Sequence, residues 1–318
     1  MKKSTLALAI MVLIGSGAAM AASPNVKGGT SDSTGVAVGT PSNHSMFGGG
    51  NSGVKLNNSG AFIDLAGGPI KGSNNAIAAR GNGTILKPAD MGMPALPINV
   101  AQVWKDTASV SDGSNDANFA INSVRQITTL SFAPQFGGLV VGQVADASGT
   151  PLAVGNGVYF GEWAPRAAGT PPLNSTNLNM TSSDRTVWYV GDNAVKDGEM
   201  PTLVNAVYGV IGINQTGSDA SANTLAGGLP GSQSFYTGKL TANYTPYSGS
   251  ITGSIVRGSD NVNFAGTTIT QHGTFSNGSD IEGRFYNNAE ALAGFYKGAT
   301  AADHVAFGGS KISGTITP

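Results

Sequence analysis

The chain has no cysteine and only three histidines, His44, His272 and His304, in 318 residues. Without thiols, disulfides and thiolate metal sites are excluded. Charge is scarce as well. Lys and Arg number 17 and Asp and Glu 18, together 11% of the chain, where about a quarter is usual. There is no basic stripe, which argues against a nucleic-acid partner. No G-x-S-x-G elbow, H-E-x-x-H pair, P-loop or dinucleotide fingerprint occurs. The scattered carboxylates suggest no acid–base pair, so an enzyme is not expected. A Ser-His-Asp site is the arrangement that spacing leaves open, because its members need not be close in sequence.

What replaces charge is Gly (47 residues), Ser, Thr and Asn, a composition suited to a β-rich exported protein with many tight turns. The N-terminus reads as a secretion signal. Lys2 and Lys3 precede an apolar run from Leu6 to Ile14, and Ala19-Met20-Ala21 is a small-x-small cleavage site. The run is too short to span a bilayer, although an uncleaved anchor is the competing reading. Cleavage after residue 21 removes two lysines, taking the formal charge from -1 to about -3.

Residues 22–60 are rich in Gly, Ser and Asn and weakly periodic, the composition of a flexible arm, yet they include Met46 and Phe47. Strand-like runs follow at Ile127–Phe132, Leu139–Val144, Val158–Trp163 (VYFGEW) and Thr186–Gly191 (TVWYVG). Leu203–Ile213 is nearly continuous and apolar, which fits a strand buried on both faces. A buried helix has the same periodicity, but the β-branched content favours the strand. No sustained amphipathic helix is evident. Gln215–Pro230 is a linker candidate. After it come short runs punctuated by Gly, Asn and Ser: Ser234–Tyr244, Ser250–Val256, Val262–Phe275, Ile281–Tyr286, Leu292–Lys297 and His304–Gly308. In SDIEGRFYNNAEALAGFYKGATAADHVAFGGSKI, Ile281, Gly283 and Phe285 alternate with Glu282, Arg284 and Tyr286. This is the pattern of a strand with one face buried and one wet. The expected class is all-β, ending in the hairpins of an antiparallel barrel; one continuous β-sandwich is the alternative.

The order of a Gly-Arg-Phe-Tyr strand, an Asn-Ala-Glu-Ala turn, a Gly-Phe-Tyr strand and Ala-Phe-Gly-Gly resembles the C-terminal barrels of transferrin-binding protein B and of the smaller hemophilin-type exported proteins. VYFGEW, RTVWYVG and Asn43-His44-Ser45 also resemble segments of the hemophilin type. This resemblance implies an N-terminal β-rich handle domain that binds ligand, residues 22–228, and an eight-stranded C-terminal β-barrel, residues 229–318, after a signal peptide at 1–21. Because a lipoprotein needs a cysteine for its lipid, the resemblance is to the secreted members. It implies a secreted hemophore, a monomer exported with a surface lipoprotein assembly modulator. Such a protein binds heme b, with host hemoglobin as one source, and passes it to a TonB-dependent receptor. The alternatives are the same fold with another metal, cofactor or host protein as cargo, and a host-colonisation factor.

Heme iron takes an axial His, Met, Tyr or Cys in a dry pocket. His272 falls on the polar face of a barrel strand, and His304 enters the last strand from a loop; both read as surface residues. His44 lies in Pro41-Ser-Asn-His-Ser-Met-Phe47, where Met46 and Phe47 could pack on a flat ring. With the resemblance, His44 is the expected metal ligand; without it, a tail histidine is an equal reading. Met91, Met93, Tyr159 or Tyr189 could supply a second ligand, or the iron could be five-coordinate. Phe160, Trp163, Trp188 and Tyr189 are candidate pocket walls, with ordinary core as the competing role. Arg185 and Arg166 are candidate propionate partners, with a solvated surface position as the competing role.

Overall fold

The computed structural model describes residues 25–40, 51–57, 62–66, 69–91, 95–128, 135–167, 169, 175–214 and 235–318. The chain is all-β with a C-terminal barrel, as expected. Its elements in order are β1 (Lys27–Thr30), β2 (Val36–Gly39), β3 (Gly53–Leu56), β4 (Ile63–Asp64), α1 (Pro69–Arg80), β5 (Thr84–Leu86), β6 (Ala101–Ser111), β7 (Asp116–Gln126), β8 (Gly138–Ala145), β9 (Val158–Ala164), β10 (Thr186–Gly191) and β11 (Thr202–Ile213). There follow β12 (Tyr236–Thr245), β13 (Ser248–Arg257), β14 (Asp260–Asn263), β15 (Thr267–Ile269), β16 (Thr274–Asn277), β17 (Ile281–Tyr286), β18 (Ala291–Tyr296) and β19 (Val305–Thr317).

The N-terminal layer is a seven-stranded antiparallel sheet in the order β1-β10-β9-β8-β7-β6-β5, with a small sheet β2-β3-β4 beside it. The barrel is closed. Around it run β11, β12, β13, β15, β16, β17, β18 and β19, and β19 pairs back onto β11. Eight strands leave an interior just wide enough for side chains to fill. Tyr208, Leu240, Ile251, Phe264, Phe275, Phe285 and Phe307 fill it. The ring centroids of Phe264 and Phe307 are 5.1 Å apart and those of Phe275 and Phe285 5.3 Å.

β11 completes the barrel, so the barrel takes a strand from the N-terminal side of the expected boundary at residues 228/229. The linker candidate 215–230 lies outside the described residues. β11 is continuously apolar for a positional reason. Tyr208 and Val210 point into the barrel, while Ile211 and Ile213 join a second cluster with Phe119, Val140, Phe160, Val187 and Tyr189 of the seven-stranded sheet. Phe160 sits at the centre of this shared core. A Cβ at Gly308 of β19 would lie 2.3 Å from its ring and one at Gly142 of β8 2.6 Å. Only glycine admits that approach.

The same packing changes the reading of β17 and β18. Ile281, Gly283 and Phe285 are buried as expected, but Tyr286, expected to be wet, is fully buried. The seven-stranded sheet covers it, and its hydroxyl donates to the Lys27 carbonyl at 2.9 Å. β18 is buried on both faces except at Tyr296. One further expectation is corrected. Within the expected flexible arm, β1 pairs with β10 in register from Lys27–Gly191 to Thr30–Trp188, and β2 pairs with β3. Residues Pro69–Arg80 form a 12-residue helix.

Candidate functional site

The two faces of the seven-stranded sheet have different fates. Val158, Phe160, Glu162, Ala164, Val187 and Tyr189 point to the barrel side, and Tyr159, Trp163, Trp188 and Val190 to the outer side. The four expected pocket walls are therefore not brought together. Phe160 is sealed between sheet and barrel. Tyr189 packs on Phe295 with centroids 5.9 Å apart and donates to Glu282 at 3.0 Å; burial raises its pKa well above the ordinary tyrosine value. Trp163 and Trp188 lie on the outer side in a closed cluster with Val36, Val54, Leu56, Ile63 and Leu139. Both indole N–H groups are buried and unpartnered among the described residues.

Arg185 is neither a solvated surface arginine nor available to a propionate. Its guanidinium faces the equally buried Glu162 carboxylate at 2.5 Å. It also donates to the carbonyls of Ala301 (2.5 Å), His304 (2.8 Å) and Ala302 (3.3 Å) in the turn before β19. Asn214 donates to two of the same carbonyls, those of Ala302 and His304, and Arg257 donates to Asn214. This node ties β9 and β10 to the barrel. Arg166 is half-buried and remains on the surface near Arg125.

His304, expected at the surface, is only 8% exposed, and its Nδ1 has no partner. Burial first, then the charges of Arg185 and Lys297, lower its pKa from the ordinary value against weaker pulls from Asp303 and the Gly298 carbonyl. His272 is exposed as expected, with Nδ1 3.4 Å from Asp197. His44, Met46 and Phe47 lie outside the described residues, as does Met93. Among the described residues, no group of three or more His, Cys, Asp or Glu side chains is arranged to hold a metal ion.

Two buried acids went unread in the sequence. Asp192, just past β10, accepts from the Ser52 N–H at 2.7 Å and from those of Gly155 and Gly157 at 3.0 and 3.1 Å. Asp64 accepts from Asn51 Nδ2 at 3.4 Å and the Ala66 N–H at 2.9 Å. Both acids are fully enclosed. β2 and β3 pair at Gly39 and Gly53, so the chain between them, which carries His44, Met46 and Phe47, ends at two residues each held by a buried carboxylate. Glu162 did give a sequence signal, a charge inside the apolar run VYFGEW.

An open groove of about 1030 Å³ runs where the turns of the N-terminal layer meet the barrel, lined by Asn115, Asp146, Asn156, Asn287, Glu290 and Lys311 among others. It has no aromatic lining and is unsuited to an apolar macrocycle. No known family model and no curated protein matches the chain.

Proposed function

We propose that the chain is a secreted heme-binding protein that captures heme outside a Gram-negative cell and passes it to a TonB-dependent receptor, after export with a surface lipoprotein assembly modulator. The observation that carries this reading is the rooting of the β2–β3 connection. Burying carboxylates is costly unless they are well hydrogen-bonded, and two of them grip the residues where that connection ends. The connection bears the chain's single histidine outside the barrel, next to a methionine and a phenylalanine. It is rooted beside the aromatic outer cluster.

The other histidines fit heme poorly. His304 is buried against two cations, and His272 is an exposed, Asp-paired residue on the barrel rim. The barrel interior is filled. When bound, heme would supply the iron, which a neutral imidazole can ligate. His44 would hold it, Met46 and Phe47 would cover the ring, and Arg166 would face a propionate in place of Arg185. Trp163 and Trp188, sealed in the outer cluster, would not line the cargo directly.

Titrating hemin into the purified protein tests the reading. A sharp, shifted Soret band saturating at one hemin per chain is expected, altered in His44→Ala and unaltered in His304→Ala. A spectrum that stays that of free hemin rejects heme as the cargo.

A further inference from the structure

Near the start of β19 the sheet is tied to the barrel through a short turn and one histidine. Residues Ala301–Asp303 form a single 3-10 turn between β18 and β19. The Thr300 N–H and hydroxyl donate to Asp303 Oδ2 at 3.0 and 2.8 Å, and the Asp303 N–H donates to the Thr300 carbonyl at 2.9 Å. The turn is closed on itself by these bonds, and its carbonyls reach outward. Those of Ala301, Ala302 and His304 accept from Arg185, just before β10, and the last two accept also from Asn214, just past β11. Ala302 and Asp303 are themselves exposed.

His304 is enclosed beside Val305 of the barrel core, and its Nδ1 has no hydrogen-bond partner. Two cations face the ring, Arg185 from the sheet and Lys297 from the end of β18. Asp303 is the anion on its own turn, and Thr300 engages that carboxylate. Glu162 of β9 is occupied by the Arg185 guanidinium. On the barrel side Arg257 reaches Asn214 and pairs with Asp260 at 3.4 Å. A neutral imidazole is tolerated in this place. A second proton puts an N–H without an acceptor, and a third positive charge, into one enclosed spot, and buried charge without compensation is costly. Water relieves that cost, and the path to it is short because the turn is already exposed. The ring cannot leave without its own backbone, and the His304 carbonyl is one of those that Arg185 and Asn214 hold.

We propose that His304 is an acid-operated latch: protonation of its ring expels the turn Thr300–His304 from Arg185 and Asn214 and unties the sheet from the barrel at this end, while both layers stay folded. Histidine protonation at a packed interface is a known way to couple pH to structure. The direction follows from the surroundings. Burial and two cations hold the folded ring's pKa below the ordinary value, so the latch is closed above about pH 6.5 and opens as the pH falls from there through the folded value. The Arg185–Glu162 pair lies within the sheet and does not depend on the turn. The inference is independent of the cargo.

Hydrogen–deuterium exchange of the full chain at about pH 7.5 and about pH 5, corrected for the pH dependence of intrinsic exchange, tests it. The segment 297–306 is expected to lose protection roughly tenfold or more at the lower pH, while β7–β8 and β12–β13 keep theirs. In His304→Gln, whose side chain does not titrate, the segment should exchange alike at both pH values. A second readout needs no variant. In an NMR titration of the wild-type imidazole signals, with the exposed His272 as reference, the His304 midpoint should coincide with the midpoint of the protection loss. Unchanged protection at the lower pH overturns the proposal, as does a loss that persists in His304→Gln. So does a loss spread over the whole barrel, or one whose midpoint departs from that of His304.

Discussion

Replacing Arg185 by leucine should destabilise the protein far more than any surface ion-pair change. The Arg185 and Glu162 side chains are both fully buried, and the guanidinium also serves three carbonyls of the turn before β19. Asn214 still donates to two of those carbonyls in the variant, so the main loss is the cation facing a buried carboxylate. Removing one partner of such a pair costs about 3–5 kcal/mol. At a urea m-value of about 3 kcal/mol/M, the midpoint falls by roughly 1–1.7 M. Arg80–Asp90 is the internal control. It is nearly as short, 2.7 Å against 2.5 Å, but its arginine side chain is 45% exposed, so Arg80→Leu should cost no more than about 1 kcal/mol. In the double variant Arg185→Leu/Glu162→Leu no charge is buried, and roughly 2 kcal/mol of the loss should return. Urea unfolding of wild type, Arg185→Leu, Glu162→Leu and the double variant closes the cycle, with Arg80→Leu beside it as the control. If Arg185→Leu costs no more than Arg80→Leu, or the double variant is the sum of its singles, the node does not couple the layers as argued.

His304 makes stability depend on pH. Its folded pKa is lowered, so below the ordinary histidine value of ~6.5 the unfolded chain binds the extra proton. Its contribution is fully present above pH ~6.5 and is lost as the pH falls from there toward the folded pKa. Unfolding midpoints of His304→Gln should fall less steeply than wild type between about pH 6.5 and 5, and parallel profiles would refute this. At the shared core, Gly308→Ala puts a Cβ against the Phe160 ring and should cost about 1–3 kcal/mol. The cost should shrink in a Phe160→Leu background, and an unchanged cost would show that the ring is not the obstacle.

The barrel strands were legible because alternation and turn residues coincide there. Ile281, Gly283 and Phe285 needed no partner to be read as inward. Tyr286 was not legible, because its cover comes from far along the chain: Gly191 of β10 lies against its ring and the Lys27 carbonyl, 259 residues away, accepts from its hydroxyl. The strands of the arm escape sequence patterning for a related reason. Four-residue strands of Gly, Val and Thr hold by packing on a sheet and not by propensity. The helix PIKGSNNAIAAR has no apolar stripe to announce it. β6 (AQVWKDTASVS) and β7 (DANFAINSVRQ) mix polar and apolar residues without strict alternation, and that irregularity hid the strands. At the site, residue type identified the aromatics and Arg185 as important but not which face each takes. The parity of β9 and β10 sends Phe160 and Tyr189 to the barrel and Trp163 and Trp188 outward.

That parity constrains where a cargo can be held. The barrel interior is filled by its own aromatics. The barrel side of the seven-stranded sheet is taken by Ile211, Ile213, Ala291, Phe295 and Ala306, which share one core with Phe160 and Tyr189. Barrel and sheet are thus joined through apolar packing and the Arg185 node, and a ligand between them would have to displace both. Among the described residues, the outer side of the sheet is covered by β2, β3 and β4. The connection that bears His44 leaves from those covering strands, and Asp192 and Asp64 fix its end.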